Sequence, residues 1–450
     1  MKTALAQIDP ANGAFAANTQ KLLAFAREAR EAGAEKILFP EGALEGFCLP
    51  SAGDAAADAA AAREAFFRAL PPGIAAELPV HGAGRVAQPP YRRGSFSSRL
   101  REAAAAGRPL LAPALVGGDG REIYDGGALV ATGDGRVWAG PRFAEGIVYA
   151  ETDAAGRPIP PDGPCAVPPE DTWGDLYRAL VLATGDYIRK CGARGTLVAL
   201  SGGMDSALVA AIAVDALGPE KVFFVTFPSR YSSEGTRRDA HRLAENLGVP
   251  CREIPIGPAV EAIASSLAFA PDAARALEAP DSRSLEAENL QARVRGTMAM
   301  SLANRMGLVM LETSNLSEAL VGYCTLYGDT CGGFAPLISV LKTDVYRLAR
   351  RRNRDGQVIP ESILTRAPSA ELREGQKDSD ALPPYELLDP ILEILRTTGS
   401  PRAAVAAGHG EAMVRRVWEL MRRSEFKRRQ SPEGPETNDI PAIALPVSFA

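Results

Sequence analysis

The chain has 450 residues, enough for two or three domains that each bury a core. With 46% hydrophobic and 23% charged residues and a formal net charge of -5, it lacks the basic surplus of a general nucleic-acid binder, and no stretch has the length and freedom from charge of a membrane span. Six cysteines without a C-x-x-C pair, three scattered histidines without zinc-ligand spacing, and a start that runs straight into an apolar strand point to a reduced, cytoplasmic protein that binds neither nucleic-acid polymer nor membrane.

In chain order, the pattern predicts a strand over 3–8, a helix over 17–32 and a strand over 36–39 that ends at Pro40-Glu41, the opening of an α/β layer. The alanine-rich run 55–62 reads as a surface helix. Strands are expected over 109–116 and 127–131, the latter before the turn Gly133-Asp134-Gly135. Proline, glycine and aspartate then accumulate over 153–173, which marks a linker between a first domain, 1–152, and a second, 174–431, with a tail over 432–450. In the second domain a helix (176–190), a strand ending at Leu200, a helix from near Asp205, a strand (221–227), a helix (234–247), a long helix (286–306) and a strand (307–312) alternate. That order predicts a doubly wound, mostly parallel sheet covered on both faces, with ligands at the C-terminal strand edges. Segments 266–285 and 352–384, rich in proline and aspartate, are expected to be mobile lid-like loops.

The chemistry concentrates where the strand ending at Leu200 breaks into Ser201-Gly202-Gly203-Met204-Asp205-Ser206. Two glycines let backbone N–H groups close around an anion, the following helix aims its positive end at the same point, and Ser201 and Ser206 add hydroxyls. Bare phosphate would repel Asp205, so its presence implies Mg²⁺ bridging the phosphates. A Walker loop needs different glycine spacing and a lysine, both missing here. A glycine-rich turn that binds nothing is the alternative.

Other polar clusters fall where strand ends deliver them to the same edge. Residues 228–235, Pro-Ser-Arg-Tyr-Ser-Ser-Glu-Gly, could seat an adenosine or ribose, or merely cap a helix. Asn289 and Arg293 share one helical face at i and i+4, which is equally the pattern of a solvated face. Thr313-Ser314-Asn315-Leu316-Ser317-Glu318 ends a strand and opens a helix, so Glu318 could share a metal with Asp205. Downstream lie Gly322 to Asp329, Lys342, Pro368-Ser369-Ala370-Glu371-Leu372 and Glu425-Phe426-Lys427-Arg428-Arg429-Gln430.

The loop at Ser201 to Ser206 resembles the pyrophosphate loop of the N-type ATP pyrophosphatases, of the adenine-nucleotide α-hydrolase type. The ordered set of clusters, over about 175–430, is similar to the synthetase half of glutamine-dependent NAD⁺ synthetases. The resemblance implies that Ser201, Gly202, Gly203, Met204, Asp205, Ser206, Thr313, Lys342 and Ser369 contact ATP. It implies that Asp205 and Glu318 hold Mg²⁺, that Asp205, Glu318 and Lys342 are catalytic, and that Asn289, Arg293, Glu318 and Lys427 contact deamido-NAD⁺. Leu316 and Leu326 stand where some relatives carry polar or lysine residues. The implied reaction activates the nicotinate carboxylate as an acyl-adenylate, which ammonia converts to the amide of NAD⁺. A homodimer is the usual assembly.

The opening segments 4–10 and 38–44 resemble a nitrilase-type amidase that releases ammonia from glutamine with a Glu-Lys-Cys triad. Glu41 matches the general base. Gly140-Pro141-Arg142-Phe143 stands where the lysine belongs, and Cys165 lies in the linker without the surrounding strand and turn. The N-terminal domain is therefore expected to be a partial, inactive amidase, with ammonia coming from solution or a separate glutaminase. A glutamine-hydrolysing enzyme with a cryptic amidase site, a ligase for another carboxylate and a nucleotide-binding pseudoenzyme remain as alternatives. The apolar tail after Asn438 is expected to dock on a neighbouring subunit or a core groove.

Overall fold

Buried apolar strands organise both compact units of the chain, Met1–Asp186 and Tyr187–Ala450. They are seen in a computed structural model that describes residues 1–46, 54–79, 88–160, 171–267 and 285–438. The division falls inside the helix Thr172–Lys190, which begins before the expected position 176. Cys48, Cys165, most of the expected loop 266–285 and the tail beyond Asn438 lie outside the described residues.

In the first unit the strands are β1 (Lys2–Ile8), β2 (Lys36–Leu38), β3 (Ala75–Glu77), β4 (Pro109–Ala112), β5 (Ala114–Gly118), β6 (Ile123–Asp125), β7 (Leu129–Thr132), β8 (Val137–Ala139) and β9 (Gly146–Glu151). One sheet runs β3-β2-β1-β5-β6, with β9 antiparallel on β1; β4, β7 and β8 form a second. β1 pairs parallel to β2 with Thr3 opposite Lys36 and to β5 with Gln7 opposite Ala114, while Leu5 faces Val148 of β9. The helix Phe15–Glu31 places Leu22, Ala26 and Ala29 on one face, at the spacing that a helix needs to bury a stripe against a sheet. They join Ala4, Ala6, Ile8 and Ile37, and Phe66 from the helix Asp54–Ala69 meets Phe39 edge-on at 5.7 Å.

The strand expected over 109–116 is two strands. Pro113 has no N–H to donate to a ladder, and the chain changes partners there: β4 pairs with β7, β5 with β1 and β6. The strand expected from Gly127 begins at Leu129 because Gly126 and Gly127 both have positive φ.

Asp125, 1% exposed, accepts hydrogen bonds from Arg99 at 2.7 Å and from Arg142 at 2.9 and 3.1 Å. Arg142 also pairs with Asp175, and its guanidinium lies 4.3 Å from the Phe96 ring centroid. Arg142 is thus the hub of a buried network whose carboxylates need their partners.

The second unit contains β10 (Thr196–Ala199), β11 (Val222–Thr226), β12 (Cys251–Glu253) and β13 (Val309–Leu311), all parallel, in the order β12-β11-β10-β13. Leu197 faces Phe223 on one side and Met310 on the other. The chain therefore leaves β10 toward one side and returns to its other side, which opens a crevice at the C-terminal end of β10. After β13 come helices not read from the sequence, Tyr385–Thr398, Pro401–Ala406 and Glu411–Arg423. Leu388, Leu392, Leu395, Val414 and Val417 pack there with Leu316 and Leu320. Segment 352–384, expected as a loop, carries the end of the helix Lys342–Asn353 and the short helix Glu361–Thr365.

Replacing Arg142 with alanine leaves Asp125 and Asp175 with only Arg99 and Arg178 as cationic partners among the described residues. The expected loss is about 3 kcal/mol of stability in urea unfolding, and a change below about 1 kcal/mol would contradict the network's importance.

Candidate functional site

The crevice at β10 holds a cavity of about 270 Å³. Its floor is the loop from Leu200 to Met204. Gly202 has φ +78°, and a Cβ there would run into the Thr236 carbonyl, so the turn requires glycine. Ser201 and Ser206 hydroxyls lie 3.0 Å apart, Ser201 N–H donates to Ser206 Oγ at 3.2 Å, and Gly203 N–H donates to Ser201 Oγ at 3.2 Å. Arg366 clamps the outside of the turn by donating to Gly202 O at 3.2 Å, and it pairs with Asp239. The helix Met204–Leu217 starts here and is almost wholly buried, so its positive end is fixed on the cavity.

Asp205 sits in that helix's first turn. Glu318 comes from the helix Leu316–Val321 after β13, and Lys342 opens the helix Lys342–Asn353. The Lys342 ammonium donates to Asp205 Oδ2 and, at 2.9 Å, to Glu318 Oε1. Burial opposes the charge on Lys342, but the two carboxylates outweigh it and hold the ammonium above the ordinary lysine range. Burial pushes Glu318 above the ordinary carboxylate range against the pull of Lys342, with Asp205 adding to the rise. Asn315 joins the two acids: its side-chain N–H donates to Asp205 at 3.0 Å and its Oδ1 accepts from Glu318 N–H at 3.1 Å, capping the helix.

Ser201, Gly202, Gly203, Met204, Asp205, Ser206, Thr313, Glu318, Lys342 and Ser369 all line this one cavity. The Ser369 hydroxyl is engaged locally, donating to Gln376 O at 2.6 Å and accepting from Glu371 N–H at 3.1 Å. In the expected nucleoside loop, Pro228 and Ser232 line the cavity while Ser233 caps the helix Glu234–Asn246, accepting from Thr236 N–H at 3.2 Å.

Asn289, Arg293 and Lys427 are not among the lining residues. They converge instead on one turn: Asn289 accepts from Thr325 Oγ1 at 2.7 Å, Arg293 donates to Leu326 O at 3.2 Å, and Lys427 donates to Gly322 O and Cys324 O at 2.8 and 2.6 Å. Tyr323 and Asp329 of that same segment line the cavity. In the first unit, Glu41 follows β2 in a turn and is partly buried.

Five lining or supporting groups were missed in the sequence. Arg295 lines the cavity while its Nε donates to Phe227 O at 2.9 Å, and burial lowers its guanidinium to about 10. Asp378 accepts from Tyr385 at 2.9 Å and is raised by burial. Arg366 and Asp378 lay in the stretch expected as a loop, and no local pattern marks them. Asn315 was legible as a helix cap. Glu312, just after β13, is 1% exposed, and burial raises its carboxyl to about 8 despite hydrogen bonds from Ser314.

Residues 176–431 match the family model described as NAD synthase. The glutamine-dependent NAD(+) synthetase of Synechocystis sp. is 42% identical over 333 residues, which cover 74% of this chain and 58% of that one. The enzyme of the same name from Rhodobacter capsulatus is 41% identical over 385 residues, covering 81% and 68%. The chain thus spans a little over half to two thirds of these relatives. Among solved structures, that of the glutamine-dependent NAD+ synthetase from Acinetobacter baumannii in complex with adenosine diphosphate matches with a TM-score of 0.71 and 29% identity, covering 98% of this chain and 96% of that one. The likeness extends through both units. A glutamine-dependent NAD(+) synthetase from Cytophaga hutchinsonii, 18% identical with a TM-score of 0.80, shares the fold.

Two outcomes test this geometry. Gly202→Ala should cost about 1–3 kcal/mol of stability in urea unfolding, the effect of a strained turn; unchanged stability would show that the loop tolerates a Cβ. The proton on buried Glu312 stabilises the fold fully below the ordinary glutamate value, and that contribution is lost as pH rises through about 8. Glutamine does not titrate, so the melting temperature of Glu312→Gln should rise relative to wild type between pH 5 and 8.5. A constant difference would mean that Glu312 ionises normally.

Proposed function

The chain belongs to the NAD synthase family, and we propose that it converts deamido-NAD⁺ to NAD⁺ with ATP, releasing AMP and pyrophosphate and using ammonia supplied from outside the chain. The observation that carries this reading is the Lys342 ammonium between Asp205 and Glu318, at the mouth of an anion loop within the matched region.

A nicotinate carboxylate is an anion without a good leaving group. Its oxygen attacks the α-phosphorus of ATP, the bond to the β-phosphate oxygen breaks, and an acyl-adenylate forms; nitrogen then displaces AMP. In this reading the Ser201 to Ser206 loop and Thr313 receive the phosphates, Lys342 neutralises charge as pyrophosphate leaves, and Ser369 with its turn closes on the nucleotide. Asn289, Arg293 and Lys427 position deamido-NAD⁺ through the turn at 322–326. No covalent nucleophile on the protein is needed.

Asp205 and Glu318 fit Mg²⁺. They are oxygen donors, and a cation already lies against both. Mg²⁺ is typically held by one or two carboxylates plus phosphates and water, and Asp205 and Glu318 would supply the carboxylates. When bound, the ion would neutralise the phosphates.

The nitrogen source rests on the first unit. Between Lys36 and Lys190 the sequence contains no lysine, and Arg142, where the amidase lysine belongs, is committed to Asp125 and Asp175. A guanidinium stays protonated and cannot exchange protons as an amidase lysine must. The relatives' name favours a second reading, in which glutamine is the donor. No helix among the described residues is long and apolar enough to cross a membrane; a cytoplasmic site and a homo-oligomer are inferred from the family resemblance.

The deciding assay follows NAD⁺ formation from deamido-NAD⁺, ATP and Mg²⁺ with either ammonium or glutamine. Activity with ammonium alone is expected. Equal activity with glutamine would restore the amidase, and no product with either, alongside retained ATP binding, would make the chain a nucleotide-binding pseudoenzyme.

A further inference from the structure

Four cations line the crevice cavity: Arg237, Arg295, Lys342 and Arg366. Three are committed within the protein. Lys342 binds Asp205 and Glu318, Arg366 pairs with Asp239 while holding Gly202 O, and Arg237 pairs with Glu253. Arg295 differs. Its Nε donates to Phe227 O at 2.9 Å, but neither terminal nitrogen has a hydrogen bond or an ion pair among the described residues. Neither is sealed in the interior, since the buried side-chain atoms without a partner do not include them. Glu371 and Asp329 act on Arg295 through space without pairing with it. Both acids have partners of their own: Glu371 accepts from Thr236 Oγ1 at 2.9 Å, and Asp329 accepts from Thr325 N–H at 2.6 Å.

The helix Leu285–Met306 puts Arg295 in this position. Val294 and Ala299 pack with Leu197 and Val225 of the sheet, and Gly296 lies so close to the neighbouring turn that a Cβ there would meet Tyr327 O and Gly328 O at 2.8 Å. Residues two apart do not share a helical face, so Arg293 meets the turn at 322–326 while Arg295 reaches the strand ends. A guanidinium held at its base, accessible at its tip and without an acid partner is suited to an anion. Burial lowers it only to about 10, so it stays charged at neutral pH.

The place of Arg295 selects which anion. Phe227, whose carbonyl anchors it, leads from β11 directly into Pro228 and Ser232, the part of the expected nucleoside loop that lines the cavity. β11 lies beside β10, with Leu200 N–H donating to Val225 O at 2.8 Å where β10 gives way to the anion loop. Arg295 therefore stands between the nucleoside seat and the Ser201 to Ser206 loop. In ATP the group that joins the nucleoside to the pyrophosphate is the α-phosphate.

We propose that Arg295 binds the α-phosphate of ATP through its terminal N–H groups and keeps hold of it through both chemical steps. This deepens the NAD⁺-forming reading above and rests on it. In the first step the nicotinate oxygen bonds to the α-phosphorus as the bond to the β-phosphate's bridging oxygen breaks, and the electron pair leaves with pyrophosphate. In the second, the lone pair of ammonia forms the C–N bond, the C–O bond breaks with its electron pair staying on the AMP oxygen, and the nitrogen sheds one proton to AMP or to water. The non-bridging oxygens of one phosphate bear charge in both steps, and a planar fork can span them where an ammonium cannot.

Pyrophosphate exchange into ATP, dependent on deamido-NAD⁺, tests this on the full-length protein. It is run with ATP and with its two analogues that carry sulfur at either non-bridging position of the α-phosphate. For Arg295→Gln, kcat for exchange with ATP should fall about 100-fold, the loss typical of one removed oxyanion donor. With at least one analogue the fall should be about tenfold or less, because sulfur has already weakened the bond that the variant removes. The KM for deamido-NAD⁺ should stay within about threefold. Arg295→Lys keeps the charge without the fork; it should show the same dependence on sulfur with a smaller loss, and it serves if the glutamine variant does not fold. An equal fall with ATP and both analogues in either folded variant would overturn the proposal, as would a raised KM for deamido-NAD⁺ with exchange kcat intact, which would move Arg295 to the other substrate. Wild-type protein that performs no exchange would instead overturn the NAD⁺-forming reading itself.

Discussion

The crevice edge of the second unit depends on one buried ammonium. Asp205 and Glu318 are delivered by helices that follow different strands, β10 and β13, and their largely buried side chains meet at one point. Two carboxylates about 4 Å apart repel by about 4 kcal/mol even at an effective dielectric of 20, so the edge could not close around them alone. Lys342, 3% exposed, turns that repulsion into attraction by binding both. Its own position is fixed from behind: its backbone N–H donates to Ser317 Oγ at 2.9 Å, and Asp389 accepts from Ser317 and from Thr343 N–H at 2.6 and 2.8 Å. The helical layer that carries Asp389 thus acts on the site through the start of the Lys342 helix. A packing element becomes part of the charge arrangement.

What could be read from the sequence follows the range over which each constraint acts. The strand-turn-helix at Ser201 is local, because glycine freedom, helix polarity and apolar alternation all act within a few residues; the expected loop and the cavity floor coincide. Strands β10, β11 and β13 were legible for the same reason. Pro113 was locally visible too, yet the expected strand ran through it, because the change of partner from β7 to β1 depends on segments far along the chain. β9 escaped for a related reason: its partly exposed residues Ile147 to Tyr149 are chosen by pairing with β1, more than 140 positions away, not by a strong pattern of their own. Arg366 and Arg295 belong to the same class. Each supports the cavity by donating to a distant backbone carbonyl, and nothing in their neighbourhood announces that.

Asn289, Arg293 and Lys427 show a different limit. A helical face at i and i+4 was correctly read as shared, but the sequence could not say what it faces. In the folded chain all three meet the turn at 322–326, where Asn289 and Lys427 engage Thr325, Gly322 and Cys324. Their bonds go to that turn, so any influence they have on the cavity passes through Tyr323 and Asp329. Leu316 is fully buried in the helical layer, where a charged side chain would lack partners.

The two units raise one chemical question between them. Ammonia released inside a protein arrives neutral and ready to attack, whereas in neutral water the same nitrogen is overwhelmingly ammonium and has no lone pair. A synthetase that depends on an external supply must therefore remove a proton close to its acyl-adenylate, in a place that a cation will enter. In the first unit, Arg142 is locked between Asp125 and Asp175, so its guanidinium is committed to structural partners.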